Sequence, residues 1–339
     1  MTTVRAPIAG QSVLVTGGAG FIGSHLVDRL LHEGAKEVVV VDNLFLGREA
    51  NLTMARRSGR VTFYREDAEF TTSLDYIFAR HDVDVVFNCA TKALNYSFLN
   101  PSGAFATNVN VVLNLLEAQR QGRYRTLCHF STSEVFGTAV YEPMDETHPR
   151  NPTTTYAAGK LASDVAVESY VRMFDVDAYI VRPFNNYGPR QNWEGLMAGV
   201  IPATAQHVLR GTPPEIHGDG QQSRDFIYVF DTVDAVIKLH SVLASGESVN
   251  ISTDNQIKIG ELIPRICHEL GYKGEIRRCE ARKADVLCHK ASNEKISSLI
   301  DYQLTSFDEG LAQTLRWYQE GLCRERYSFN QALCELCRR

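Results

Sequence analysis

Thr16-Gly17-Gly18-Ala19-Gly20-Phe21-Ile22-Gly23 is the stretch on which the fold of this chain turns. The compact apolar run Ser12–Thr16 leads into it. After it, Phe21, Ile22, Leu26 and Leu30 recur at helical spacing through His32. Glycines at 17, 20 and 23 between a strand and a helix permit a tight turn, a close backbone approach to a pyrophosphate, and close helix–strand packing. The helix start then offers free N–H groups and the positive end of its dipole. A β-branched run, Val38–Val41, ends on Asp42. A carboxylate at that distance can accept hydrogen bonds from a ribose diol and repels a 2′-phosphate. The reading is a dinucleotide site that prefers NAD; Arg48 and Arg56 are the residues that leave NADP open. A structural turn followed by a loop aspartate is the plain alternative. No Gly-Lys-Ser/Thr completes the run, so a phosphate loop of the ATPase type is excluded.

Outward from this unit, short apolar runs alternate with helical patterns. Further strands are expected at 61–64, 83–88, 126–131 and 177–182, with a helix near 102–121. Strand–helix alternation predicts a doubly wound parallel sheet of Rossmann type, with ligands at the edge formed by the strand C-termini. After Arg182 the chain is punctuated by Pro183, Gly188, Pro189, Gly195, Pro202 and Gly211, which predicts loops wrapping a ligand rather than more sheet. Helices are expected again over 231–243, 260–270 and 308–319. The expected division is a cofactor domain over 1–187 and a smaller C-terminal substrate-binding lobe over 188–339, with the chain crossing back near 226–245.

Composition bounds the function. The chain has 339 residues, 44% apolar and 22% charged, which is ordinary for a globular protein of about two domains. A net charge of -5 gives no general reason to bind nucleic acid or an anionic membrane. The eight cysteines follow no framework spacing and read as reduced thiols. Cys334-x-x-Cys337 lacks the second ligand pair of a zinc site, so no metal is expected. With no apolar signal core or spanning run, the expectation is a cytoplasmic protein.

The second chemical signal is Tyr156-x-x-x-Lys160, which on a helix places both side chains on one face. A phenol titrates near ~10, too high for a base at neutral pH. A neighbouring ammonium together with a positive nicotinamide ring is expected to lower it, so that the phenolate can take a proton from a sugar hydroxyl. That spacing alone is common. Here Ser131-Thr132-Ser133-Glu134 follows directly on a strand at the ligand edge, and a hydroxyl there can hold the same sugar oxygen.

Taken together, TGGAGFIG at 16–23, VDN at 41–43, STSEVFG at 131–137, YAAGK at 156–160, RPFNNYGPRQN at 182–192 and GDGQQSRDFIYV at 218–229 resemble the extended short-chain dehydrogenase/reductases that act on nucleotide sugars, the epimerase/dehydratase family. The resemblance runs from about Val13 to Tyr318. It implies NAD as cofactor, held by Gly17, Gly20, Phe21, Ile22, Gly23, Asp42, Asn43, Asp67 and Lys92, with Asn108 supporting the site. It implies Thr132 as catalytic hydroxyl, Tyr156 as base and Lys160 as the cation that tunes it. Asn185 and Arg224 match positions that contact the sugar diphosphate. Arg282 and Asp285 match an Arg-Pro-x-Asp stretch that grips phosphate and ribose, although Lys283 replaces its proline. Other readings stay open: Lys92 as a solvated loop lysine, Asn185 as a turn amide, Arg282 and Asp285 as a structural pair. Phe136 and Gly159 depart from the usual tyrosine and serine without removing a catalytic group. Homodimers, formed through the long helices near 102–121 and 155–173, are common in the family.

Glu134 bears on which reaction follows oxidation at the sugar C4. Ring rotation gives a 4-epimer; removal of the C5 proton and loss of water gives a 4-keto-6-deoxy sugar; a C6 carboxylate can leave as carbon dioxide. A carboxylate beside the hydroxyl suits proton removal at C5. The thymidine-sugar dehydratases pair that Glu with a preceding Asp, where this chain has Ser133; guanosine-sugar dehydratases and uronate decarboxylases show Thr-Ser-Glu, so the serine leaves those routes open. Lys92 and the general pattern favour 4-epimerisation of a UDP-sugar, with dehydration second and uronate decarboxylation third. Glu134 as a purely structural acceptor also stays open.

Overall fold

The computed structural model describes residues 5–281, 286–288 and 290–336, the stretch 322–336 as backbone only. In its first half, strands and helices alternate as the hydrophobic pattern expects: β1 (Ser12–Thr16), α1 (Phe21–His32), β2 (Glu37–Val41), α2 (Thr53–Arg56), β3 (Val61–Tyr64), α3 (Thr71–Phe78), β4 (Val85–Asn88), α4 (Pro101–Arg120), β5 (Thr126–Phe130), α5 (Thr155–Phe174) and β6 (Asp177–Pro183). The two long helices begin where the sequence caps them. Asn100 accepts from the Gly103 N–H at 2.9 Å, with Pro101 in the first turn of α4. Thr154 accepts from the Ala157 N–H at 3.2 Å, which starts α5 so that Tyr156 falls in its first turn.

In the second half the chain forms β7 (Asn185–Tyr187), α6 (Val200–Leu209), β8 (Glu215–His217), β9 (Ser223–Arg224), β10 (Phe226–Tyr228), α7 (Val229–His240), β11 (Ser248–Ile251), β12 (Ile257–Lys258), α8 (Ile259–Glu269), β13 (Arg277–Cys279), α9 (Glu294–Leu299) and α10 (Phe307–Leu336). Here one expectation needs correcting. The chain leaves the central sheet after β6 but comes back to it: β11 is a seventh strand beside β6. Val249, Asn250 and Ile251 are fully buried there, so this strand is made by its place in the core rather than by a long apolar run. β7 to β10 and β8 to β13 also pair, as small two-stranded sheets.

The central sheet has the order β3-β2-β1-β4-β5-β6-β11, and every neighbouring pair is parallel. This is a Rossmann-type doubly wound sheet with its switch point between β1 and β4. Val38–Val41 are buried on both faces, as a strand covered by helices on both sides requires. One apolar core unites β1, α1 and β2 with Ile227, Val233–Leu243 and β11; another lies between the opposite face and α3 to α5. A third, built on Tyr187, Trp193, Ile201, Ile263 and Tyr318, gathers the chain beyond β6. No helix among the described residues is long and apolar enough to cross a membrane.

Candidate active site

Parallel pairing brings the C-terminal ends of β1, β2, β4, β5 and β6 to one edge, and a cleft opens there. Gly17, Gly20, Phe21, Ile22 and Gly23 form its floor, and Asp42, Asn43 and Asp67 lie at one end. The two outer glycines are sterically required. Gly17 has φ +67°, and a Cβ on it would stand 2.8 Å from the Ala90 backbone nitrogen; a Cβ on Gly23 would stand 2.2 Å from the Gly17 carbonyl oxygen. Helix α1 therefore starts flush against β1, and its N-cap, Gly20, brings no side chain to compete for the first-turn N–H groups.

Asp42 is buried at the end of β2 and accepts from Leu44 N–H at 2.8 Å and Ala19 N–H at 3.0 Å. Burial raises its pKa against those hydrogen bonds. Asn43 donates to Asp67 at 2.6 Å, so the two residues form one polar wall. Arg48 and Arg56 are both occupied, on Glu194 at 2.7 Å and Glu49 at 3.2 Å. A cradle that excludes any Cβ, a bare helix start and a ribose-facing carboxylate fit a dinucleotide without a 2′-phosphate.

Lys92, Tyr156 and Lys160 line the middle of the cleft. The Lys92 ammonium lies 3.8 Å from the centre of the Phe45 ring, a cation–π contact that holds it over the cleft wall. Asn108 does not line the cleft. Its side-chain oxygen accepts from Lys92 N–H at 2.9 Å and from the Thr91 hydroxyl at 3.0 Å, so it acts by holding that loop.

Tyr156 donates its backbone N–H to Ser97 at 3.0 Å, and its phenol hydrogen-bonds Thr132 and Thr91. Thr132 caps the short turn 133–136 by accepting from the Glu134 N–H at 3.3 Å. Thr132, Ser133 and Glu134 are all buried. Desolvation pushes the Tyr156 phenol up to about 12, and the Glu134 carboxylate pushes the same way; the hydrogen bonds from Thr132 and Thr91 oppose them. One turn along α5, the Lys160 ammonium donates to the Phe130 carbonyl oxygen at 2.5 Å. Burial brings Lys160 itself down to about 8, against the pull of Asp164.

The expected substrate contacts fall outside this group. Arg224 donates to the carbonyl oxygens of Ser223 at 2.9 Å and Val286 at 2.6 Å, and it is not part of the cleft wall. Asn185 follows Pro183, which does line the cleft, and its buried amide nitrogen has no hydrogen-bond partner among the described residues. Arg282 and Asp285 lie outside the described residues. Sequence reasoning missed Thr91, Phe45 and Arg190. Arg190 lines the cleft and pairs with Asp28 of α1 at 2.7 Å, which docks the loop after β7 onto the cofactor half. Its only sequence signal was its place inside the 182–192 motif.

The sequence matches the NAD dependent epimerase/dehydratase family over residues 13–252. The chain belongs to that family: it is one of its enzymes, and its cofactor is NAD. It is 33% identical to the UDP-glucose 4-epimerase of Mycolicibacterium smegmatis over 309 residues, covering 90% of this chain and 98% of that one. Its fold superposes on the UDP-glucose 4-epimerase of Thermotoga maritima, solved with UDP-glucose, with a TM-score of 0.86 at 31% identity, over 92% of this chain and 99% of the other. A dTDP-glucose 4,6-dehydratase of Streptomyces venezuelae, solved with NAD bound, fits equally well: TM-score 0.86, 31% identity, 91% and 97% coverage.

Proposed function

We propose that this enzyme is a nucleotide-sugar 4-epimerase, with a UDP-sugar as substrate, acting through a transient 4-keto sugar. Bound in the cleft, NAD supplies the oxidising ring and a positive charge beside Tyr156. The protein's part is proton movement and orientation. Thr132 holds the sugar hydroxyl, and the Tyr156 phenolate takes its proton and returns it. A phenol held at about 12 cannot do so unaided. The charge of Lys160, with that of the cofactor when bound, would favour the phenolate, and Thr132 would stabilise it by donating a hydrogen bond. Asp42 and Asn43 hold the adenosine ribose, and Asp67 the adenine side.

The observation that supports epimerisation is Lys92 over the cleft wall, and Ser133 weighs against dehydration of the thymidine-sugar kind. Ser133 is buried directly between Thr132 and Glu134, the place where those dehydratases carry an aspartate. Dehydration remains a second reading because Glu134 is buried close enough to Tyr156 to raise its pKa, and a carboxylate there suits removal of a C5 proton. Asn185 and the stretch 282–285 are assigned to the sugar diphosphate, and residues 188–339, apart from the return to the cofactor half through α7 and β11, to a substrate lobe. We assign the active unit as a homodimer through α4 and α5, since Phe105, Leu113 and Val165 on those helices are exposed at 40%, 38% and 43%.

The test is product analysis by mass spectrometry and proton NMR with UDP-glucose, UDP-N-acetylglucosamine, UDP-glucuronate and GDP-mannose. Unchanged mass with inverted C4 supports the epimerase. Loss of water or of carbon dioxide overturns it. Run in deuterium oxide, epimerisation is expected to leave C5 unlabelled, and label at C5 would assign Glu134 a proton transfer. Light scattering in solution reads the dimer; a monomer would remove that assignment.

A further inference from the structure

Away from the cleft, three different metal-ligating side chains meet on the small sheet of β8 and β13. Cys279 pairs opposite His217 and Arg277 opposite Glu215. Residues two apart on a strand share a face, so Glu215 and His217 stand side by side, with Cys279 across from them. One carboxylate oxygen, one imidazole nitrogen and the thiol sulfur all lie within 4.8 Å of one another, and all three residues are half-buried. No sequence spacing announces the group, because more than sixty positions separate Glu215 from Cys279.

The imidazole is what points to a cation. His217 Nδ1 lies 3.3 Å from the Glu280 carbonyl oxygen, and Nε2 lies 3.3 Å from Glu215 Oε2. Both neighbours are acceptors, whereas a neutral imidazole has one N–H. If that N–H serves the carbonyl, the Nε2 lone pair faces a carboxylate, which is repulsive unless a cation stands between them. The other carboxylate oxygen, Oε1, is held by Arg277. A carbonyl on the second imidazole nitrogen and a donor on the spare carboxylate oxygen are the supports that orient metal ligands. The spacing agrees as well. Tetrahedral Zn–N and Zn–O bonds of about 2.0–2.1 Å set those two atoms roughly 3.3 Å apart.

We propose that Glu215, His217 and Cys279 bind a divalent zinc ion, with solvent as fourth ligand. A mixed nitrogen, oxygen and sulfur set suits zinc better than magnesium or calcium. Closing the site asks the thiol to approach by about 1 Å. Arg277, which also lies beside the thiol, must yield that contact, and its side chain is 61% exposed and able to do so. The ion cross-links β13 to β8. The competing occupant is a proton on Nε2, donated to Glu215 by the neutral Nε2–H tautomer or by an imidazolium.

The experiment is titration of the metal-free full chain with cobalt(II), followed by displacement with zinc(II). One equivalent of cobalt is expected to give a thiolate charge-transfer band and the intense visible bands of a four-coordinate ion. Cys279→Ser should abolish the charge-transfer band, and His217→Gln should weaken binding at least about tenfold. The Cys334→Ser/Cys337→Ser double variant should keep both. Zinc should raise the melting temperature of the wild type and not that of the variants. Absence of the bands, their survival in Cys279→Ser, or their loss in the Cys334→Ser/Cys337→Ser variant overturns the site. Should Cys279→Ser fail to fold by circular dichroism, His217→Gln and Glu215→Gln decide by the same bands, and unchanged affinity in both is equally fatal.

Discussion

Arg182 of β6 and Asp164 of α5 form an ion pair shut off from water, with Nη2 and Nε at 2.9 and 3.0 Å from the same carboxylate oxygen. Their residues are 1% and 0% exposed. Arg182 also donates to Ser248 of β11 at 2.6 Å, and His129 of β5 faces the other Asp164 oxygen at 3.6 Å. The pair thus ties three strands to the helix that carries Tyr156 and Lys160. Asp164 lies one helical turn beyond Lys160 and raises its pKa against burial.

Asp164→Asn should therefore have two effects. Leaving Arg182 buried without its partner should cost about 3–5 kcal/mol, read by urea unfolding. Lys160, already down at about 8, should fall further, so its ammonium form is lost at lower pH. The alkaline limb of kcat should move to lower pH. A uniform loss of rate at every pH would mean the carboxylate acts through stability alone.

Tyr156→Phe removes the phenol oxygen and little volume. Turnover should fall by about 10²- to 10⁴-fold while bound NAD stays within a few-fold of wild type. Activity within a few-fold of wild type would remove Tyr156 from proton transfer.

Gly23→Ala places a methyl group 2.2 Å from the Gly17 carbonyl oxygen. The turn must open, at a cost of roughly 1–3 kcal/mol, and the pyrophosphate cradle opens with it. NAD affinity should drop about 10- to 100-fold, measured by calorimetry. Unaltered affinity would mean that the turn relaxes without moving the helix start.

His25 and His240 set an acid limit on stability. Burial is the largest cause in both, and it brings each down to about 4 from 6.5. The folded values are depressed, so the unfolded chain binds more protons between these limits. Stability is complete above about pH 6.5 and is lost as pH falls toward 4. Urea unfolding at pH 7.5 and 4.5 should show the loss, at about 1–3 kcal/mol per histidine. His240→Gln should flatten the profile; an unchanged slope would place the acid sensitivity elsewhere.

What could be read in the chain was what short-range pattern encodes. β1, the glycine turn, α1 and β2 lie within thirty residues, and each is dictated by neighbours in sequence: apolar runs for strands, helical spacing for α1, glycine where a side chain cannot fit. The same is true of Tyr156 and Lys160, four apart on one helix, and of the parallel order that puts the strand ends at one edge. β11 was not legible, because Ser248–Ile251 is short and becomes a strand only through the vacant edge of β6.

By itself, then, the sequence determined the cofactor cradle and the set of groups at the ligand edge, since both are local. Only the tertiary structure decided where charges point: Lys160 toward the Phe130 carbonyl, Arg224 toward backbone oxygens, Arg190 toward Asp28, and Glu215 and His217 toward Cys279. Long side chains take their direction from acceptors and from the loss of water around them. Those surroundings come from segments far apart in the chain, which no spacing along it records.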